Sequence, residues 1–263
     1  MIKALSYSSI AMLLRCPRSW YYKYVLNRPG VLNASLLIGR VYHQVIATAY
    51  IKKMTKGELM SEEEIADFFS NFWEKEIANK YTFDELGEPK IEATYIEWQD
   101  KDPGELKDKG IKMCQLYCNE ILPSYHPIKV EERREADIDG IKLVGYPDLT
   151  AEVITTSNKV IIDHKWRAKS HSEKELENDF QSTIYALLTG IYDIEFHAAL
   201  NQKEPKIKIS PIHRTDEDIE WTKQLIKEAW AQIQSGNFPP NPLSWSCSLE
   251  SCSYFTECRM KWL

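Results

Sequence analysis

Apolar residues recur with helical spacing along the first half of the chain and with strand spacing along much of the second. Ser6 suits a helix N-cap, and Ile10, Leu13 and Leu14 follow it, predicting a helix over 6–23. Cys16-Pro17 interrupts that helix, because the residue before a proline is pushed out of the α region. Residues 30–33 read as a turn. Leu37, Val41, Val45 and Ile46 then give one apolar side to a helix over 36–50, which also carries His43. Ser61-Glu62-Glu63-Glu64 is a capping box, opening an amphipathic helix through Phe68, Phe69 and Trp73. Residues 80–110, rich in charge, glycine and proline, read as a variable surface region. A helix over 111–121 follows. Its Cys114 and Cys118 are one turn apart on one face, too few for a metal site and so expected as core thiols.

From Lys129 the pattern changes to β-rich runs. Strands are expected over 130–136, 141–149, 151–154 and 159–164, with Asp139-Gly140 and Thr155-Thr156-Ser157-Asn158 as turns. Ser172-Glu173-Lys174-Glu175 is a second capping box, and a helix runs from it through Phe180, Ile184 and Leu187 to Gly190. Strands over 194–200 and 207–212 precede a helix capped by Thr215, which carries Ile219, Leu225, Ile226, Ala229 and Trp230 and stops at Gly236. Phe238-Pro239-Pro240-Asn241-Pro242 is a rigid connector to a tail holding Cys247, Cys252 and Cys258.

The chain has 263 residues, 43% of them hydrophobic, enough for one large domain or two small ones. Its net charge of -6 gives no global attraction to nucleic acid, so any such binding is local. Basic residues do cluster, as Arg15, Arg18, Lys23 and Arg28, and again as Lys165, Arg167 and Lys169. Trp20, Tyr21, Tyr22 and Tyr24 lie within the first cluster, as core residues or as a surface for stacking bases. No apolar run approaches the roughly 20 residues that span a bilayer. The N-terminal residues do not form a secretory signal. The expectation is a cytoplasmic protein with no membrane partner, in which disulfides are disfavoured and the six cysteines are core thiols or metal ligands.

The strongest chemical signal is Tyr146-Pro147-Asp148 followed by Ile161-Ile162-Asp163-His164-Lys165. A hairpin turning at 155–158 brings Asp148 near Asp163, since paired strands lie about 5 Å apart. Asp163 and Lys165, two apart on a strand, point to the same side. Acid-any-Lys also occurs as Glu88/Lys90, Glu105/Lys107 and Glu204/Lys206, but only Asp163/Lys165 closes an apolar β-branched run. Two carboxylates suit a hard cation such as Mg2+ or Mn2+, with the backbone carbonyl of His164 as a further oxygen. Lys165 beside them can orient or deprotonate a water, or meet charge developing on phosphorus. Gln181 and Tyr185, one helical turn apart, share a face.

These motifs resemble the PD-(D/E)XK nucleases of the RecB type, most closely the single-chain iron-sulfur exonucleases similar to the CRISPR-associated Cas-four and AddB-like proteins. Pro147-Asp148, Asp163-His164-Lys165, the Gln181…Tyr185 pair and Gly39-Arg40-Val41-Tyr42-His43 carry the resemblance, in the family's order. It implies an α/β restriction-endonuclease-like core with a mixed central sheet flanked by helices. It also implies a helical insertion over about 52–125 and an iron-sulfur module built from 1–30 and 238–263. By resemblance, His43, Asp148 and Asp163, with His164, ligate the metal. Lys165 serves the catalytic water, and Gln181 and Tyr185 contact DNA or support the site. Cys16, Cys247, Cys252 and Cys258 would bind a 4Fe-4S cluster, with structural zinc as the alternative. The implied activity is exonucleolytic cleavage of DNA with single strands or free ends, with partners in a recombination or CRISPR adaptation complex. A catalytically silent, nuclease-like DNA-binding or scaffold subunit is the other reading.

Overall fold

The computed structural model describes residues 3–78, 96–98 and 101–260. The chain opens with α1 (Tyr7–Arg15) and α2 (Pro17–Tyr24), parted at Cys16 as the proline requires. Ser6 caps α1 by accepting from the Ser9 N–H. A short β1 (Leu32–Asn33) leads into α3 (Ala34–Lys56) and then α4 (Glu62–Ala78). β2 (Ile96–Glu97) pairs with β1, and α5 (Pro103–Glu120) follows. Next come β3 (Tyr125–Val130), β4 (Arg134–Ile138), β5 (Ile141–Gly145), β6 (Leu149–Val153) and β7 (Lys159–Arg167). The chain continues through α6 (Glu173–Glu177), α7 (Phe180–Thr189), β8 (Asp193–Leu200), β9 (Lys206–His213), α8 (Asp216–Ser235) and α9 (Phe255–Met260).

The central sheet has the order β3-β6-β7-β8-β9. It is mixed: β7 and β8 run parallel, and the other neighbours antiparallel. The parallel pair needs a crossover, which α6 and α7 supply. On one face α3, α4 and α5 pack together, and their apolar sides meet Leu149, Ala151, Val160, Ile162 and Ala199 of the sheet. On the other face Ile161 and Ile194 meet Tyr185 and Ala186 of α7 and Ile219 of α8. The α/β architecture with a mixed central sheet flanked by helices is thus as expected. Each leucine, isoleucine or valine fully buried this way contributes about 1.5–3 kcal/mol. α3 alone buries Leu37, Ile38, Val41, Val45 and Ile46.

Several boundaries differ from the sequence expectation. α3 runs to Lys56 rather than residue 50, and α5 begins at Pro103 rather than 111. Asp102 caps α5, its carboxylate accepting from the Glu105 N–H, within a stretch whose charge had suggested a surface loop. Of that expected surface region, residues 80–95 and 99–100 lie outside the described residues, as does part of the helical insertion expected over 52–125. The strands expected over 130–136 and 141–149 are each divided. Glu131 takes a left-handed φ of 46°, and its N–H bonds the Asp148 carbonyl at 3.0 Å. The chain there leaves the central sheet to form the β4–β5 hairpin and returns at Asp148. Pro147, with no N–H, cannot extend a ladder at that point. The helix expected from Ser172 to Gly190 is also two helices. Asp179 caps α7, and buried Arg214 donates to the carbonyls of Leu176, Glu177 and Asp179 and to Ser182 Oγ.

Candidate active site

Side chains alternate across β7, and that alternation builds the site. Val160 and Ile162 belong to the α3–α5 face and Ile161 to the α7 face. By the same period Asp163 and Lys165 face α7, and the ring of His164 faces α5. The hairpin pairs Leu149 with Ile162, which sets Asp148 against the Asp163–His164 peptide. Asp148 Oδ2 accepts the His164 backbone N–H at 2.7 Å and lies 3.3 Å from His43 Nδ1 of α3. Asp163 Oδ2 lies 2.6 Å from Lys165 Nζ.

α7 holds this pair from above. Lys165 Nζ donates to Gln181 Oε1 at 2.7 Å, while Gln181 Nε2 donates to Asp163 Oδ1 at 3.0 Å. Tyr185 OH lies 2.9 Å from Gln181 Nε2 and 3.4 Å from Asp163 Oδ1. Both side chains are buried, with their polar ends turned to the acid and the ammonium. The structure brings His43, Asp148, Asp163, Lys165, Gln181 and Tyr185 together, whereas Cys114 and Cys118 are buried among core residues.

The electrostatics follow from burial of several charges together. Burial alone would raise Asp148, but the charge of His43 and hydrogen bonds from His164 and His43 hold it well below the usual carboxylate range. Asp163 moves the opposite way: burial first, and repulsion from Asp148 next, push it up against the pull of Lys165. Burial opposes the charged forms of His43 and Lys165, yet both are raised, His43 chiefly by Asp148 and Lys165 chiefly by Asp163.

Two carboxylates and an imidazole are, in kind, the donor set of a hard divalent cation. Asp163 Oδ2 is buried with the Lys165 ammonium 2.6 Å away, and a carboxylate oxygen keeps a second lone pair to give. Among the described residues no three His, Cys, Asp or Glu side chains stand as a ready metal shell. The contacts explain this: Asp148 turns to His43 and the His164 N–H, and Asp163 to Lys165. The donors fit the cation in chemistry and neighbourhood.

Residues 4–259 match the family profile described as the PD-(D/E)XK nuclease superfamily. The chain belongs to the PD-(D/E)XK nuclease superfamily. It is a nuclease, and nucleases of this superfamily typically use divalent metals. The Gene 69 protein of Mycobacterium phage L5 is 25% identical to it over 297 residues, covering 95% of this chain and 94% of that one. The crystal structure of a candidate exonuclease from Eubacterium rectale shares the fold. Its TM-score is 0.54 at 14% identity, over 97% of this chain and 88% of that one. Among the described residues, no helix of this nuclease is long and apolar enough to cross a membrane.

The nuclease also brings its terminal cysteines together. Cys16, Cys247, Cys252 and Cys258 all line one cavity of about 320 Å³, with Ser19, Tyr22 and Pro240. Cys16 sits between α1 and α2, where burial would raise its thiol. Hydrogen bonds from Ser19, from the Asn241 N–H at 3.4 Å and from neighbouring backbone lower it instead. Of the early aromatics, Trp20 and Tyr22 are buried; Trp20 Nε1 donates to Ser9 Oγ, and its ring stacks on Phe238.

Sequence reasoning missed other polar groups around the site. Glu131 lines the groove of about 440 Å³ that also contains His43, His164 and Lys165. Burial first, then Asp148, pushes its carboxyl up. Tyr117, His197, Tyr50, Tyr125 and Glu195 form a buried network behind His164. The signal for it was a histidine amid the apolar strand residues Phe196, Ala198 and Ala199.

Proposed function

We propose that this nuclease is a divalent-cation-dependent DNA exonuclease, hydrolysing phosphodiester bonds at DNA ends on single or frayed strands. One observation carries the reading: Asp163, Lys165 and Gln181 close a hydrogen-bonded unit beside the Asp148–His43 contact. The name of the Eubacterium rectale neighbour points the same way. His43, Asp148 and Asp163, with the His164 carbonyl, would hold the cation. When bound, Mg2+ or Mn2+ supplies Lewis-acid polarisation of a phosphoryl oxygen. Lys165, kept charged by its acidic neighbours, orients the attacking water and stabilises charge developing on phosphorus. Gln181 and Tyr185 position Asp163 and Lys165, their hydrogen bonds being spent on those two groups and on the Tyr146 carbonyl. Water attacks phosphorus, the P–O bond to the neighbouring nucleotide breaks, and the leaving oxygen takes a proton.

The second part of the reading is that Cys16, Cys247, Cys252 and Cys258 bind a 4Fe-4S cluster. A lone zinc draws four sulfurs to about 2.3 Å of one point. Here the four thiols line one cavity of about 320 Å³, and structural zinc is the alternative occupant. A cluster held there ties α1 and α2 to the chain's last described segment.

The test is incubation of the pure protein with 5′- and 3′-end-labelled single- and double-stranded DNA and Mg2+ or Mn2+. Release of label that needs the cation and is lost in Lys165→Ala is the expected result. Equal behaviour of wild type and variant would overturn the catalytic assignment.

A further inference from the structure

α3 and β7 form opposite walls of the groove of about 440 Å³ that holds His43 and Lys165. On α3, Leu36, Gly39, Arg40 and His43 recur every three or four residues and so lie along one face of the helix. Lys165 and Trp166 belong to the β7 wall. The groove therefore does not stop at His43. It continues along the helix for about 10 Å, toward Leu36. Nothing in the catalytic assignment uses that extension.

The chemistry of the walls changes along that length. Glu131, whose N–H bonds the Asp148 carbonyl, marks the catalytic end. One helical turn from His43 stands Arg40, its side chain 52% exposed. Arg40 Nη1 is 3.8 Å from Glu76 Oε2, too far for a hydrogen bond, and the other Glu76 oxygen accepts from Gln44 Nε2. So long and exposed a pair adds little to stability and leaves the guanidinium N–H groups to bind something else. Past Arg40 the lining is exposed Leu36 and half-buried Trp166, whose ring is anchored 5.7 Å from that of Tyr42. Gly39 adds no side chain there, and the walls already approach closely: a Cβ on it would stand 3.6 Å from Trp166 Cβ.

We propose that Arg40 binds the phosphate next to the scissile one, on a single DNA strand that lies between α3 and Trp166. The inference rests on the nuclease reading above. A guanidinium fork matches two oxygens of a phosphate. The Arg40 and His43 side chains leave the helix about 5–6 Å apart, comparable to the spacing of neighbouring phosphates along one strand. A cation beside an aromatic ring is the pairing that holds a single strand, the charge taking the backbone and the ring a base. The close approach of the walls at Gly39 leaves room for one strand and none for its complement. Arg40 is thus a substrate-binding residue, and the chemistry stays with the groups already described.

The experiment compares wild type with Arg40→Ala and Glu76→Gln. Fluorescence anisotropy of a labelled single-stranded oligonucleotide, with Ca2+ in place of Mg2+ and over a range of NaCl concentrations, reads binding. Steady-state cleavage with Mg2+ reads KM and kcat. Arg40→Ala is expected to bind on the order of tenfold more weakly, to flatten the plot of log Kd against log salt by about 0.7, and to raise KM more than it lowers kcat. Glu76→Gln frees the guanidinium, so it should bind as tightly as wild type or more tightly. Oligonucleotides carrying one neutral methylphosphonate at a time locate the contact. In wild type, replacing a phosphate that flanks the cleavage point should weaken binding, and in Arg40→Ala the same replacement should cost nothing further. Equal salt slope and KM in wild type and Arg40→Ala overturn the inference if the wild type cleaves DNA. Equal losses in Arg40→Ala and Glu76→Gln also overturn it, since they mark a structural ion pair. A cleaving wild type that tolerates methylphosphonate at both flanking positions does so too, whatever the stability of the variants. A wild type that cleaves with neither Mg2+ nor Mn2+ overturns the nuclease reading and this inference together.

Discussion

Gln181 and Lys165 are joined by a 2.7 Å hydrogen bond from Nζ to Oε1, and the other end of the same amide donates to Asp163. One side chain on α7 thus sets the spacing of an ion pair on β7. Replacing Gln181 by leucine keeps the volume and removes both bonds. The expected result is a kcat lower by about 10–100-fold, with DNA affinity unchanged because the side chain is buried away from substrate. Steady-state cleavage and a DNA-binding titration on the same preparation check it.

The cysteine cavity makes a second prediction. Anaerobically prepared protein should be brown and contain iron. Cys16→Ser should lose colour and iron, because it removes the one thiol contributed from the start of the chain. It should also melt earlier. By analogy with a covalent cross-link over a long loop the loss is about 2–4 kcal/mol. Cys114→Ser, in the α3–α5 core, should leave the colour intact.

Stability should depend on pH through histidines held neutral. Burial lowers His197, and burial followed by the charge of Arg167 lowers His171 to about 4. In the unfolded chain each titrates near 6.5, about the model-peptide value. The unfolded state therefore binds more protons below that pH, and stability rises with pH there. In a His43→Ala, Asp163→Asn background, which removes two groups that folding raises and that act in the opposite sense, the urea midpoint should fall as the pH drops from about 6.5 toward 4. A midpoint that rises over that interval would contradict the assignment.

Gly110 offers a packing test. A Cβ built there would overlap the ring of Phe69, where α4 and α5 meet. Gly110→Ala should cost about 1–3 kcal/mol despite its better helix propensity, read as a lower urea midpoint with an unchanged slope.

What could be read from sequence was local. The break at Cys16-Pro17, the caps at Ser61 and Thr215, and the alternation along β7 each depend on neighbours a few residues away. What could not be read depends on distant partners. α7 starts at Phe180 because Arg214, beyond β9, satisfies the carbonyls that end the preceding turn. β3 ends at Val130 because the chain must leave one sheet for another, which no period in the sequence records. Asp163, Lys165, Gln181 and Tyr185 could be grouped from sequence because their spacing places them on one strand and one helix, whereas His43 and Asp148 come from α3 and from the segment before β6. The Tyr117–His197–Glu195 chain could not, because it joins α5 to β8, far apart in sequence, and Tyr117 and His197 look individually like core residues.

The division of β7 also limits how the chain can change in length. Inserting or deleting one residue within the strand would swap its two sides, sending Asp163 and Lys165 into the aromatic core and His164 toward Gln181. Neither environment tolerates the exchange. The turn after Val153 has no such constraint: Ser157 already adopts a left-handed φ of 58°, and its neighbours from 154 to 159 are exposed. Length variation among natural or designed versions of this nuclease therefore belongs in that turn, which can absorb extra residues without altering which groups meet the substrate.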